Sequence, residues 1–144
     1  MKKILTATLL FAGILFISSC KKDTPAATDA RDKFVGTWAG TQRILIPGLG
    51  VDYSDNVSEP FTKSSSNSNQ IIIDGTQTAN VNGNSYTYDQ FTITDTDPTL
   101  GTIVMIVNGT GTINGSNIIE SGTLSTVIQG QTYNGTWSGN LVKQ

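Results

Sequence analysis

The segment VGTWAGT, residues 35–41, returns almost unchanged as NGTWSGN, residues 134–140, close to the end of the chain. The second copy lies in a run of strict period two. Tyr133, Gly135, Trp137, Gly139 and Leu141 share one face, and Thr132, Asn134, Thr136, Ser138 and Asn140 share the other. Such alternation marks a strand with one buried face. The first copy reads the same way: Trp38, Gly40, Ile44 and Ile46 are in phase, Thr37, Thr41 and Arg43 lie opposite, and Gln42 falls on the apolar side. Matching strands at both ends of a domain suggest a closed sheet. An open meander leaves two edges that invite aggregation, and closure pairs its first strand with its last. On this reading the two G-T-W-x-G segments are antiparallel neighbours across the seam, and their glycines let each backbone approach the opposite indole.

Between these ends the chain has no helical pattern longer than two turns. Strand-like runs alternate with turn dipeptides. Asp74-Gly75, Asn82-Gly83 and Asn114-Gly115 are the strongest hairpin signals, since a type I′ turn needs positive φ at both central residues, and Gln129-Gly130 is a weaker one. Asp97-Pro98 is expected to break pairing between the runs around Phe91 and Ile103. Tyr86 and Tyr88 are out of phase with Phe91 and Ile93, and a bulge near Asp89-Gln90 would restore the register. Ile103–Val107 is apolar on both faces, so part of it is expected beneath a loop, a helix or a partner. The expected fold is all-β: an antiparallel up-and-down meander of about eight strands closed into a small barrel over residues 31–144, with a β-sandwich as the alternative.

Composition narrows the chemistry. Among 144 residues there is no histidine, one cysteine and a formal charge of −2. Histidine is the usual general base near neutral pH and the commonest metal ligand. A single thiol excludes an intrachain disulfide and a cysteine-based zinc site. No basic surface is available to neutralise phosphates, which argues against nucleic acid. No nucleophile, Gly-rich phosphate loop or carboxylate pair at fixed geometry is marked, so the chain is not expected to be an enzyme, and no cofactor or metal site is assigned. Asp52–Asn56 and Asp95–Asp97 offer oxygen ligands of the kind calcium takes, but each is too short to complete a site and reads equally as turn residues.

The N-terminus reads as an address. Met1-Lys2-Lys3 is basic, and Ile4–Ile17 follows without a charge, about 14 residues where a membrane-spanning helix needs about 20. The run fits the apolar region of a secretory signal peptide. Ile17-Ser18-Ser19-Cys20 then resembles the lipobox of bacterial lipoproteins, and the chain's only cysteine occupies the position that motif requires. The resemblance implies cleavage of a signal peptide, residues 1–19, and acylation of Cys20. Two or more acyl chains hold a protein stably at a membrane. Cleavage removes Lys2 and Lys3, so seven basic side chains face eleven acidic ones, a net charge of −4. Cys20-Lys21-Lys22-Asp23 looks like the start of many lipoproteins of the Bacteroidota. With no aspartate directly after the cysteine, the resemblance favours the outer membrane, on either its periplasmic or its surface face. Residues 20–30 read as the lipidated cysteine and a flexible tether, with a reach of at most ~35 Å from Lys21 to Ala30 at ~3.5 Å per residue.

Asp29 is placed to cap a single turn through Arg31, Asp32 and Lys33 that ends at Phe34. Phe34-Val35-Gly36-Thr37-Trp38 follows, and a short turn running into a G-x-W strand resembles the opening of lipocalins. GTGTINGSNIIESGTLS, residues 109–125, has the look of the small lipocalin-like lipoproteins of the Bacteroidota. The resemblance implies an outer-membrane-anchored barrel that binds a small apolar or amphipathic molecule. The other reading is a structural module whose interior is filled by side chains and whose Thr/Asn-rich exterior meets a protein or glycan.

The candidate ligand-binding residues are Trp38, Gln42, Glu120, Tyr133 and Trp137. Trp38 and Trp137 either stack on a ligand or plug one end of the barrel. Gln42 and Glu120, if inward, are the polar contacts of an otherwise apolar cavity. Glu120 shares a face with Ile118, Leu124 and Ile128. Ser64–Asn69 is polar and of low complexity, and reads as a mobile loop, a candidate lid over the barrel mouth.

Overall fold

A computed structural model describes residues 28–97 and 101–144. Residues 1–27 and 98–100, among them the expected signal segment, Cys20, most of the expected tether and Pro98, lie outside the described residues. The fold is all-β. Nine antiparallel strands form one sheet: β1 Gly36–Ile46, β2 Val51–Lys63, β3 Gln70–Ile73, β4 Gln77–Asn82, β5 Ser85–Tyr88, β6 Phe91–Asp97, β7 Gly101–Asn114, β8 Asn117–Ile128 and β9 Gln131–Lys143. Neighbours in space run β5-β4-β3-β2-β1-β9-β8-β7-β6, and β5 also pairs with β7. The hydrogen bonds therefore run in a ring through every strand except β6. One sheet closed in this way sets aside the sandwich.

The first and last strands do pair, with Trp38 opposite Lys143, Gly40 opposite Leu141 and Ile44 opposite Trp137. The seam expected from the repeated segment is there, but its register differs. The tryptophans lie at different levels, because Trp137 faces Ile44 and not Trp38. The glycines serve other partners as well. A Cβ on Gly40 would collide with the Asn140 carbonyl, so this glycine lets the β1 and β9 backbones close up. The indole of Trp137 rests on Gly109 of β7 and Gly122 of β8, where a Cβ would collide with it.

β5 and β6 share one edge of β7. Tyr86 lies opposite Gly111 and Phe91 opposite Val107, so five steps along one side meet four along the other. That extra residue is the expected break at Asp89-Gln90, and it turns Tyr86, Tyr88 and Phe91 to the same interior. Asp89 pins it: its carboxylate accepts from Gln70 Nε2 at 2.8 Å, Thr78 Oγ1 at 2.7 Å and Asn80 Nδ2 at 2.6 Å.

Two local expectations are corrected. The runs around Phe91 and Ile103 pair with each other as the β6–β7 hairpin, with Asp97 opposite Gly101, so the two runs are not kept apart. In the Asn82-Gly83 and Asn114-Gly115 hairpins the asparagine is the last paired residue and the glycine opens the loop, so positive φ is needed at the glycine alone (57° and 62°). Glycine first is the pattern of a type II′ turn. Asp74-Gly75 and Gln129-Gly130 carry two positive φ values each. Val104 and Ile106 point outward, 46% and 42% exposed, with no described element covering them.

The core concentrates at the end of the ring where β1 begins. Phe34, Trp38, Phe61, Ile71, Ile73, Tyr86, Ile118 and Leu141 are almost fully buried there. Aromatic rings run in contact from Phe34 through Tyr86 and Tyr88 to Trp137, with centroids 5.3–5.6 Å apart and edge-to-face geometry. Such pairs contribute beyond the area they bury. The segment before β1 forms a turn: Asp29 Oδ1 accepts from the Arg31 amide at 2.9 Å. Arg31 Nη1 donates to the carbonyls of Ser64, Asn67 and Gln70. The 64–69 loop is thus tied down at the end of the ring where β1 starts and β2 finishes, opposite the opening described below, and it is not a lid.

Candidate functional site

The two halves of the ring differ because three strands are short. β3 pairs with β2 only over Phe61–Lys63, and β5 pairs with β7 only near Gly111. Closure is complete around the aromatic core. Toward the other end, β2 from Val51 to Pro60 and β6 face one another with no strand set between them among the described residues. That half is a trough.

The trough holds an open space of about 720 Å³ lined by Ile44 and Ile46 of β1, Leu49 in the turn after it, Val51 and Tyr53 of β2, Ile93 and Thr94 of β6, Ile103 and Met105 of β7, and Thr126 of β8. Among the described residues, no charged side chain lines it. Small-molecule pockets typically have volumes of about 300–1,000 Å³ and mostly apolar walls. Deeper, and sharing Ile44, Ile93 and Met105 with the trough, lies a smaller cavity of about 70 Å³. Its walls include Phe91, Val107, Leu124, Tyr88 and Trp137, and its polar residues are Gln42, Glu59 and Gln77. Two or more waters, or a small polar head group, fit in that volume at about 10–15 Å³ per probe sphere.

The chain has two glutamates, and Gln42 reaches both. Gln42 Nε2 donates to Glu59 Oε1 at 2.9 Å and lies 3.4 Å from Glu120 Oε2. Glu120 is 1% exposed. Its Oε1 accepts from Tyr88 Oη at 2.6 Å and from Tyr86 Oη. Gly139, opposite on β9, leaves room for it: a Cβ there would sit 2.7 Å from Glu120 Oε2. Burial pushes the Glu120 carboxyl above its usual range, and the two tyrosine hydroxyls and Gln42 oppose that shift. Burial likewise pushes both tyrosine hydroxyls far up, so they are neutral donors.

Glu59 is less satisfied. Its Oε2 is buried with no hydrogen-bond partner among the described residues. Burial first, and then the nearby Glu120 charge, push its carboxyl up to about 7, while the Gln42 hydrogen bond pulls the other way. A buried acceptor without a partner carries a desolvation penalty that a bound donor would relieve.

The expected site residues therefore divide. Gln42 and Trp137 line the inner cavity. Trp137 is 8% exposed and donates from Nε1 to the Asn108 carbonyl at 3.0 Å, so it is a fixed wall. Glu120 stands behind Gln42 and lines neither space. Trp38 is fully buried at the closed end, donating to the Phe34 carbonyl at 2.6 Å with the Lys143 ammonium over its ring; it is a plug and touches neither space. Tyr133 packs on Gly48 in the turn after β1, also outside both. Asp52–Asn56 lies within β2 and Asp95–Asp97 within β6, so neither is a ligand loop. Glu59 was missed. In sequence it sits in a charged and polar run before Pro60, and only its pairing opposite Trp38 turns it inward.

Comparison of the chain with known protein families, with curated protein sequences and with solved structures finds no match.

Proposed function

We propose that this protein is a non-enzymatic binding protein of the bacterial envelope, anchored at the outer membrane through acylated Cys20, whose trough holds a small, largely apolar or amphipathic molecule. The observation that carries the binding reading is the apolar trough of about 720 Å³ opening onto a cavity with a polar floor. A ligand lying there removes apolar wall from water, worth about 25 cal/mol per Å². The lipobox-like Ile17-Ser18-Ser19-Cys20 supports the anchor. Native mass spectrometry of the full-length protein, released from a mild detergent with no ligand added, tests the binding function. A co-purifying small molecule that is lost on denaturation supports it. A clean apo mass that does not shift with fatty acids, fatty alcohols or alkyl amines overturns it and leaves an interaction module with a filled lower half. Labelled palmitate incorporated into the wild type and not into Cys20→Ala checks the anchor separately.

A further inference from the structure

The chemistry of the cavity floor narrows the ligand, given the binding function proposed above. The described lining of the trough is apolar and carries no charge, so it sorts ligands by shape and hydrophobic area. The floor is different. Gln42 Nε2 is committed between the two glutamates, and Tyr86 and Tyr88 are committed to Glu120. The buried polar atom left without a partner is Glu59 Oε2, an acceptor, and beside it only the neutral amide of Gln77 is uncommitted. The charged and titratable groups acting on it are Glu120 from β8, Asp74 from the β3–β4 turn and, across the cavity, Tyr88 from β5. None is a cation, and among the described residues no lysine or arginine lines the trough or the cavity. Arg43 of β1 faces outward, paired with Asp52.

An acceptor-rich, cation-free floor beneath an apolar wall suits one kind of head group. A carboxylate would meet two carboxyl groups and no cation, with the neutral Gln77 amide its one uncommitted donor. An alcohol could donate one hydrogen bond but would leave the negative potential uncompensated. A primary ammonium donates to Glu59 and compensates its charge together with that of Glu120. It is also small enough for a cavity of about 70 Å³.

We propose that the pocket selects amphipathic amines, with the ammonium group on Glu59 Oε2 at the inner cavity and the apolar body in the trough between β2 and β6. Glu59 then binds ionised. Below about pH 7, where the free carboxyl holds its proton, uptake of the amine releases that proton to solvent.

Titration calorimetry of the full-length protein in nonionic detergent with decylamine, 1-decanol and decanoic acid, against detergent blanks, tests this. The expected result is decylamine binding at least tenfold more tightly than 1-decanol, with decanoic acid weakest. Glu59→Gln should bring decylamine down to the level of 1-decanol while leaving 1-decanol within about threefold. In the wild type at pH 6, decylamine binding heats should depend on the ionisation enthalpy of the buffer, showing proton release, and this dependence should vanish at pH 8.5. That readout needs no variant. Equal affinity for the three probes, tightest binding of decanoic acid, or no proton release at pH 6 overturns the amine assignment and leaves the apolar pocket standing. No binding of any of the three overturns both.

Discussion

Tyr88 Oη donates to Glu120 Oε1 at 2.6 Å in the interior of the ring, where Glu120 is 1% exposed. A carboxyl group in such a place is tolerated because Tyr86, Tyr88 and Gln42 surround it with donors. Removing the acceptor strands the donors. Glu120→Leu should therefore destabilise the protein by about 2–5 kcal/mol, since each buried hydroxyl left without a partner costs about 1–3 kcal/mol. The triple variant Glu120→Leu, Tyr86→Phe, Tyr88→Phe should recover part of that loss, because no polar group is then stranded. Urea unfolding of the two variants side by side checks it. A triple variant as unstable as the sum of its single changes would show that the three groups do not act as one network.

Glu59 makes stability depend on pH. Its carboxyl is raised from 4.5 to about 7 in the folded state. The folded protein thus holds a proton that the unfolded chain releases above about 4.5. Stability is fully present below that value, falls as pH rises through the window from about 4.5 to about 7, and levels off above it. The raised Glu120 carboxyl acts in the same direction. Calorimetric Tm should drop between pH 4.5 and 7.5, and Glu59→Gln should flatten part of the drop. Asp29 behaves oppositely: hydrogen bonds from Arg31 hold its carboxyl well below the usual range, so its contribution is lost only as pH falls below about 3.8.

Gly40 and Gly115 should respond differently to alanine. A Cβ at Gly40 meets the Asn140 carbonyl and the Leu141 backbone across the β1–β9 seam, and neither can move without opening it. Overpacking of this kind costs about 1–3 kcal/mol or more. Gly115 has open space around it and a φ of 62°, so Gly115→Ala should cost about 1 kcal/mol of backbone strain. Chemical denaturation of both variants should give the larger loss for Gly40→Ala.

Arg31 ties the N-terminal turn to the 64–69 loop through the Ser64 and Asn67 carbonyls, and to the start of β3 through that of Gln70. Arg31→Gln should leave the ring intact and raise amide exchange locally at Ser66, Asn67 and Asn69, with about 1–3 kcal/mol of stability lost. Hydrogen-exchange mass spectrometry checks it, and unchanged protection in that loop would show that its own hydrogen bonds suffice.

Met105 lines both the trough and the inner cavity. Met105→Trp should obstruct the passage and reduce binding of a decyl-chain probe at least tenfold, with Tm changed by only a few degrees. Fluorescence competition and thermal unfolding on the same preparation separate blockage from misfolding.

The sequence by itself determined the local geometry. Alternation in β1, β8 and β9 assigns their inward faces, because a strand has a period of two and no freedom to choose otherwise. It also sets Gln42 and Glu120 in phase with apolar neighbours, the pairing of first and last strands follows from the repeated segment, and the phase shift between Tyr88 and Phe91 locates the break at Asp89-Gln90. The tertiary structure decided everything that depends on which strand lies beside which. Register set Trp137 against Gly109 and Gly122, and made Trp38 alone the plug. The shortness of β3, β4 and β5 left one half of the ring open, and no local pattern encodes the absence of a neighbour. Glu59 lies in a stretch whose other members, Asp52, Ser54, Asp55 and Asn56, are exposed, so nothing local distinguishes it. It enters the interior because the β1–β2 register sets it opposite the inward-facing Trp38, where a second carboxyl from a strand 61 residues further along the chain comes within its electrostatic reach.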